Sequence, residues 1–366
     1  WEDFGKNPVG AGPYAVTQLS DKTILLERSG SFYQSAEVAN AAVQVKVIPT
    51  IKEQFLAFTR KELDHAPIPE SYLPKVLNDP LWNAVGANTA KTAVSLNNLS
   101  LTRTVKVPHW RSEFITMNNQ AFPFDNAKVR QAFNYAVDKK AIIQDTLQSY
   151  ARPMTGIFPP GFPGATRSEV LYEQDLDRAR LLLFEAGWRD KDYDGDIEPW
   201  QNPRLNLVLH YQNDRPESFQ MCQKIQQDLK KIGVTVQLQS LRSFQNNNPG
   251  RLPDFFHAAW APDIVDPSEW FYPTFFGGSR YNLSRYNQPR VERLITMAED
   301  ITYEPKRYEL YQEAERLLIE DAPWLFLYHP VEYQLVQPRV GQFAAHPQLP
   351  LAYEHMPIAT QTARKP

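Results

Sequence analysis

The residues best equipped for chemistry lie between Phe256 and Phe271, in the stretch FHAAWAPDIVDPSEWF. An apolar run, Ala258, Ala259 and Trp260, leads into two carboxylates, Asp263 and Asp266, followed by Pro267 and the aromatic pair Trp270 and Phe271. A strand that ends in an acid beside large rings can recognise a small molecule, because a ring excludes water and a carboxylate takes a cation. The competing reading is structural, with Asp266-Pro267 as ordinary turn chemistry at a strand exit.

A second acidic stretch, DKDYDGDIE, spans residues 190–198. Asp190, Asp192, Asp194, Gly195 and Ile197 fit the opening positions of a helix-flanked calcium loop. Gln201 stands where a closing Glu is needed, and Pro199 and Pro203 block an exiting helix. A solvated acidic turn accounts for the same residues. Enzymatic patterns are missing: the chain holds no G-x-S-x-G, H-E-x-x-H or C-x-x-C. Gly10-Ala11-Gly12 lacks the Lys-Ser/Thr and the helix of a phosphate loop, and the seven histidines are dispersed without metal-ligand spacing. The chain is therefore expected to be a binder and not an enzyme, with no cofactor. Its single cysteine, Cys222, sits at an apolar helical position and reads as a small buried hydrophobe.

The elements that must position these residues belong to a chain of 366 residues, long enough for two lobes. A hydrophobic share of 42% with 12% aromatics marks a globular chain. No apolar run is long enough to cross a bilayer as a helix. The net charge of −3 with scattered basic residues argues against nucleic acid as a partner. The chain begins at Trp1 without an initiator Met or a signal peptide, and reads as a mature form or a fragment.

Hydrophobic periodicity predicts a mixed α/β order. Residues 13–19 and 23–28 read as paired strands around Ser20-Asp21-Lys22, and 41–48 as a third. A short helix is expected over 51–62, with Phe55, Leu56 and Phe58 on or near one face. Residues 78–100 read as irregular and Phe114–Asn118 as a strand. One long helix is expected over 126–148, capped by Asp125 or Asn126 and lined by Val129, Ala132, Phe133, Ala136, Val137 and Ile143. A β-α-β unit follows: a strand at 205–211, a helix at 216–232 with Phe219, Cys222, Ile225, Leu229 and Ile232 inward, Gly233 as stop, and a strand from Val234. Two more helices, 288–301 and 306–320, lead through Asp321-Ala322-Pro323 into a strand at Trp324–Tyr328.

In this order the segments resemble the extracellular solute-binding proteins of the oligopeptide, dipeptide and nickel group that serve ABC importers. Asn7-Pro8-Val9-Gly10-Ala11-Gly12-Pro13-Tyr14 is similar to that group's N-P-V-G-T-G-P-Y turn. PFDNAKVRQAFNYAVD, within Asn118–Asp138, matches its signature nearly residue for residue. Pro159-Pro160-Gly161, Glu185-Ala186-Gly187-Trp188, Trp260–Pro267 as W-x-x-D-x-x-D-P, and Leu317–Pro323 as L-L-I-E-D-A-P continue it in collinear order. Phe55–Ile68 resembles a further element, although Lys61 replaces its usual glycine.

The resemblance implies a two-lobed periplasmic-binding-protein-like α/β fold with mixed sheets and a hinge. Residues 1–108 with 337–366 would form one lobe and 109–336 the other. It also implies capture of a peptide or peptide-like ligand in the interlobe cleft by hinge closure, delivery to the permease subunits of an ABC importer, a periplasmic or extracellular location with any lipid anchor belonging to the full-length protein, and a monomer. By residue-for-residue match, Asp263 would hold the ligand's α-ammonium group and Trp260 would form an aromatic wall. Backbone groups of Ala259 and Ala261 would extend the ligand as an added strand, and His257 would face its C-terminus. Family members carry a long additional stretch before the N-P-V-G turn. Its absence here is expected to mean the C-terminal part of a longer protein, or a shortened form with a more open cleft. A ligand-sensing domain of a regulatory protein, or a carrier of an oligosaccharide, opine or metal chelate, stays open as an alternative.

Overall fold

The computed structural model describes residues 8, 10–69, 72–78, 103–148, 150–165, 167, 169–190, 195–199, 205–341, 343, 356 and 358. The chain divides into two compact units, Trp1–Pro108 with Val331–Pro366, and His109–Pro330. The second border falls inside a strand, ahead of the 336/337 position read from sequence.

The first unit opens with three antiparallel strands, β1 (Tyr14–Leu19), β2 (Thr23–Arg28) and β3 (Ala42–Lys46). Their first turn is closed by Ser20, whose hydroxyl accepts from the Thr23 N–H at 3.0 Å. Helix α1 (Ile51–Thr59) starts at Thr50, whose side chain accepts from the Glu53 N–H. It buries Phe55, Ala57 and Phe58, whereas Leu56, grouped with them on sequence, points outward. Strand β4 (His65–Pro67), helix α2 (Leu73–Asn78) and strand β5 (Arg103–Pro108) complete the described part. Most of the expected irregular stretch at 78–100, together with Asn7 and Val9 of the opening turn, lies outside the described residues.

The second unit runs through β6 (Ser112–Met117), α3 (Ala127–Ala136), α4 (Lys139–Asp145), β7 (Ala151–Pro153) and α5 (Leu176–Glu185). The short strands β8 (Trp188–Arg189) and β9 (Glu198–Pro199) precede β10 (Leu207–Tyr211), α6 (Pro216–Lys230) and β11 (Val236–Ser240). Then come α7 (Leu241–Asn247), β12 (Phe255–Trp260), α8 (Ser268–Phe275), α9 (Pro289–Glu299), α10 (Glu304–Asp321) and β13 (Trp324–Val336). The end of β13 belongs to the first unit, where it pairs antiparallel with β4 and β5.

The single helix expected over 126–148 is two helices. Val137 is extended, and the Asp138 N–H donates to Asp228 Oδ2 on α6 at 3.0 Å instead of continuing the helix. The Asp138 carboxylate then caps α4 through the Ala141 N–H at 2.9 Å. A tertiary partner has replaced a helical one. The β10–α6–β11 unit is parallel, with Leu207 opposite Val236 and Tyr211 opposite Ser240. Cys222, Ile225 and Leu229 are buried as expected, but Phe219 is 39% exposed.

The sheet of this unit is mixed, in the order β11-β10-β12-β6-β13. Its two faces carry separate cores because strand side chains alternate. Ile115, Met117, Leu209, Phe255 and Leu325 enter one core with Met221, Cys222 and Leu229 of α6. Phe114, Phe256, Ala258, Trp324 and Phe326 enter the other with Trp270, Phe271 and Phe275 of α8. The helices after the parallel neighbours β10 and β12 thus leave toward opposite faces. Such a divergence opens a crevice outside the carboxyl ends of the two strands, the usual ligand position in open α/β sheets.

Candidate functional site

Three segments meet at that edge of the sheet: the carboxyl end of β12 with Ala261–Asp266, the loop Gln212–Arg215 after β10, and Arg111–Glu113 at the start of the antiparallel β6. Main-chain parity along β12 follows from one bond. The Asn118 N–H donates to the Asp254 carbonyl at 2.8 Å, so residues 254, 256, 258 and 260 turn their peptide groups toward β6. Residues 255, 257 and 259 turn theirs the other way. Phe255 O meets His210 Nδ1 at 3.2 Å, and His257 O accepts from Gln212 Nε2 at 3.1 Å. The β10 pairing ends at His210 opposite Phe256. Ala259 is next in the series, and its N–H and C=O face the space beyond β10 without a main-chain partner among the described residues.

Trp260 is half-buried against the α8-side core. Its indole N–H donates to the Glu269 carbonyl at 2.7 Å, which fixes the ring, and Tyr281 lies 5.6 Å away between centroids. Ala261 is exposed and continues the edge. Asp263 is exposed, with no hydrogen bond or ion pair among the described residues. Asp266 is different. Arg307 of α10 holds it bidentately at 2.5 and 2.6 Å, and its Oδ1 accepts from the Ser268 N–H at 2.8 Å. Burial raises the Asp266 pKa, but these partners outweigh it and hold the carboxyl below the usual aspartate range. Of the two acids, one anchors the loop and the other is left to the solvent. Trp270 and Phe271, paired with the acids on sequence, are fully buried core residues.

His257 lies in a buried polar cluster that sequence reading did not reveal. Its Nδ1 meets Ser218 Oγ at 2.7 Å and its Nε2 meets Glu113 Oε2 at 2.9 Å. Arg215 reaches the same carboxylate with both terminal nitrogens, at 3.1 and 3.0 Å, and Arg111 Nε pairs with its Oε1 at 2.8 Å. Burial lowers the His257 pKa even against the Glu113 carboxylate, so the ring is neutral. Pairing then assigns the protons: Nε2–H donates to Glu113, and Nδ1 accepts from Ser218, whose Oγ accepts from the Gln212 N–H at 2.9 Å. Burial also pushes the Glu113 pKa up, but His257 and the Arg215 guanidinium pull it below the usual carboxylate range, leaving it ionised. Glu113 stands opposite Ala259 in register. Arg215, coming from the end of β10, therefore crosses over β12 to reach it, and the small Ala259 side chain leaves room. The available signal was weak: Glu113 and His257 are ionisable residues at inward positions of two apolar strands, and each is the other's partner.

Of the calcium-loop candidates, Asp192 and Asp194 lie outside the described residues. Asp190 Oδ2 accepts from the Gly195 N–H at 3.2 Å, and Thr235 Oγ1 donates to Asp196 at 2.6 Å. Among the described residues, no group of His, Cys, Asp or Glu could hold a metal ion. A cavity of about 300 Å³ in the first unit, bordered by Val43, His65, Val340, Phe343 and Met356, contains none of the expected site residues.

The family model for bacterial extracellular solute-binding proteins, family 5 Middle, matches residues 1–282. A probable di/tripeptide-binding protein 5 of Pseudomonas aeruginosa is 25% identical over 94% of this chain and 61% of its own length. Heme-binding protein A of Haemophilus influenzae is 27% identical over 94% of this chain and 59% of its own length. In fold, the chain is similar to HbpA2 from Haemophilus parasuis, with a TM-score of 0.79 at 22% identity, covering 96% of this chain and 65% of that one. The chain thus spans about three fifths of the length of the curated relatives it matches.

Proposed function

We propose that this chain, which belongs to the bacterial extracellular solute-binding proteins of family 5, captures a peptide or peptide-like ligand outside the cytoplasmic membrane for an ABC importer. The observation that carries the reading is the main chain of Ala259, which faces the space beyond β10 with no main-chain partner among the described residues, a few residues before the Asp263 carboxylate, likewise without a partner among them. An extended peptide laid on that edge gains main-chain hydrogen bonds whatever its sequence. Its α-ammonium group would pair with Asp263, and the fixed ring of Trp260 would cover one side of the ligand. Relatives with di/tripeptide-binding and heme-binding names bracket the choice of ligand.

The proposal includes hinge closure, a periplasmic or extracellular location with lipid anchoring of the full-length protein, permease subunits as partners, and a monomer. It also holds that the chain is not a catalyst. Ser218, His257 and Glu113 form a hydrogen-bonded series, but all three are fully buried and offer no nucleophile to a ligand.

Native mass spectrometry of the purified chain tests the reading, followed by denaturation and identification of what is released. A spread of co-purified peptide masses is the expected result. A single non-peptide adduct, such as a sugar, an opine or a metal chelate, would replace the peptide assignment with that ligand.

A further inference from the structure

We propose that His329 pins together the two places where the chain passes between the units, so that movement of one unit against the other is taken up outside the pin, at residues 108–109 and 330–331. The inference rests on the hinge part of the reading above and is independent of which ligand is carried. The borders of the units fall after Pro108 and after Pro330. Strand β13 changes neighbour there. It pairs with β6 as far as Tyr328 opposite Glu113, after an irregularity at Phe326–Tyr328, and with β5 from Val331 opposite Pro108. His329 and Pro330 fall between these two ladders, and a proline has no N–H to give. On their other side they pair with Arg152 and Ala151 of β7.

Two residues close the gap. The Pro330 carbonyl accepts from the His109 N–H at 3.1 Å. His329 Nδ1 lies 3.1 Å from the Arg111 carbonyl and 3.1 Å from Ser112 Oγ. The ring is buried, and burial pulls its pKa down to about 4, so it is neutral and carries one hydrogen. A carbonyl can only accept, which puts that hydrogen on Nδ1. The Ser112 hydroxyl donates in turn to the Ile157 carbonyl at 3.3 Å. Nε2 is left as a buried acceptor without a hydrogen bond among the described residues. The side chain of His329 thus stands in for the ladder bonds that β13 lacks here, and holds residues 109–112 against the strand. Because the ring is out of reach of solvent, water does not replace the Nδ1 bond unless the seam opens. His329 is a positioning residue in this role, and it touches no ligand.

The test uses the whole purified chain without ligand and two replacements of similar shape. His329→Asn keeps an N–H donor near the Nδ1 position, and His329→Leu removes it. Amide hydrogen exchange is one readout. The other is the separation between spin labels on Lys52→Cys in α1 and Gln227→Cys in α6, both exposed, while the native thiol of Cys222 is buried and escapes labelling. The wild type and His329→Asn are expected to share a protected His109 amide and a narrow label distribution. His329→Leu should exchange the His109 amide at least about fivefold faster relative to amides in α3, the effect of one lost buried hydrogen bond, and should broaden the distribution. Equal behaviour of the Asn and Leu proteins overturns the inference. Faster exchange shared by α3, with an unchanged label distribution, is an ordinary loss of stability and overturns it too. An unprotected His109 amide in the wild type does so without any variant.

Discussion

Arg307 on α10 grips Asp266 with both terminal nitrogens, at 2.5 and 2.6 Å, and so ties the loop that carries Asp263 to a helix distant in sequence. The contact separates two aspartates three positions apart. Asp266 is engaged by Arg307, and Asp263 is exposed with no ion pair among the described residues.

Replacing Arg307 with Ala should lower stability by about 1–2 kcal/mol, a figure reduced for the partial exposure of this pair. Because the folded Asp266 pKa lies below its unfolded value, the contribution is present at neutral pH and lost as pH falls through the acidic aspartate range. Urea denaturation at pH 7 and at about pH 3 should show the wild type and Arg307→Ala converging in acid. A constant gap between them would contradict the assignment.

Asp263→Asn should leave thermal stability almost unchanged, since the residue is exposed and unengaged among the described residues. Binding of a free-amine peptide should weaken by on the order of 2–4 kcal/mol, from loss of a desolvated charge pair. Calorimetry with free and N-acetylated forms of one retained peptide checks this. If the acetylated form binds the wild type equally well, Asp263 does not hold an ammonium group.

Glu113→Ala leaves the partly buried Arg215 without its bidentate partner and the fully buried His257 Nε2 without an acceptor. A loss of about 3–5 kcal/mol is expected, the range for breaking a buried ion pair from one side. Chemical denaturation measures it. A change below about 1 kcal/mol would show that water replaces the carboxylate, contrary to its burial.

Lys139 is fully buried at the start of α4, where its ammonium donates to the Asn134 and Tyr172 carbonyls. Burial pulls its pKa down to about 7, with Asp138 and Asp228 opposing. A lysine whose folded pKa is below its unfolded one penalises the fold while protonated. The penalty holds below about pH 7 and fades toward pH 10. Stability of the wild type relative to Lys139→Met should therefore rise across that interval by on the order of 2–4 kcal/mol. A flat difference between the two proteins from pH 7 to 10 would refute it.

Much of the α/β order was legible because local chemistry sets it. Alternating Val and Leu marked β3 and β10, and Pro216 and Gly233 bracketed α6 within a few residues. The family signature led to Asp263, Trp260 and Ala259 before any geometry was available. Reading failed where a partner distant in sequence decides the outcome. Nothing near Val137 announces that Asp228 will take the Asp138 N–H and split one helix into two. Leu56 and Phe219 have the right period for burial, yet each stays 39% exposed.

By itself the sequence determined the elements, their order and the kinds of residue that end up at the crevice, since periodicity, caps and turn chemistry act over a few residues. Only the tertiary structure decided which of those residues are engaged by other side chains. Asp263 and Asp266 are indistinguishable as letters, and Arg307, forty-odd positions away, separates them. His257 is a plausible ligand group on paper, but Glu113 and Ser218 occupy both of its nitrogens. The physical reason is common to Asp266 and His257. A polar group taken from water must find a partner, and which partner it finds depends on folding and not on proximity along the chain.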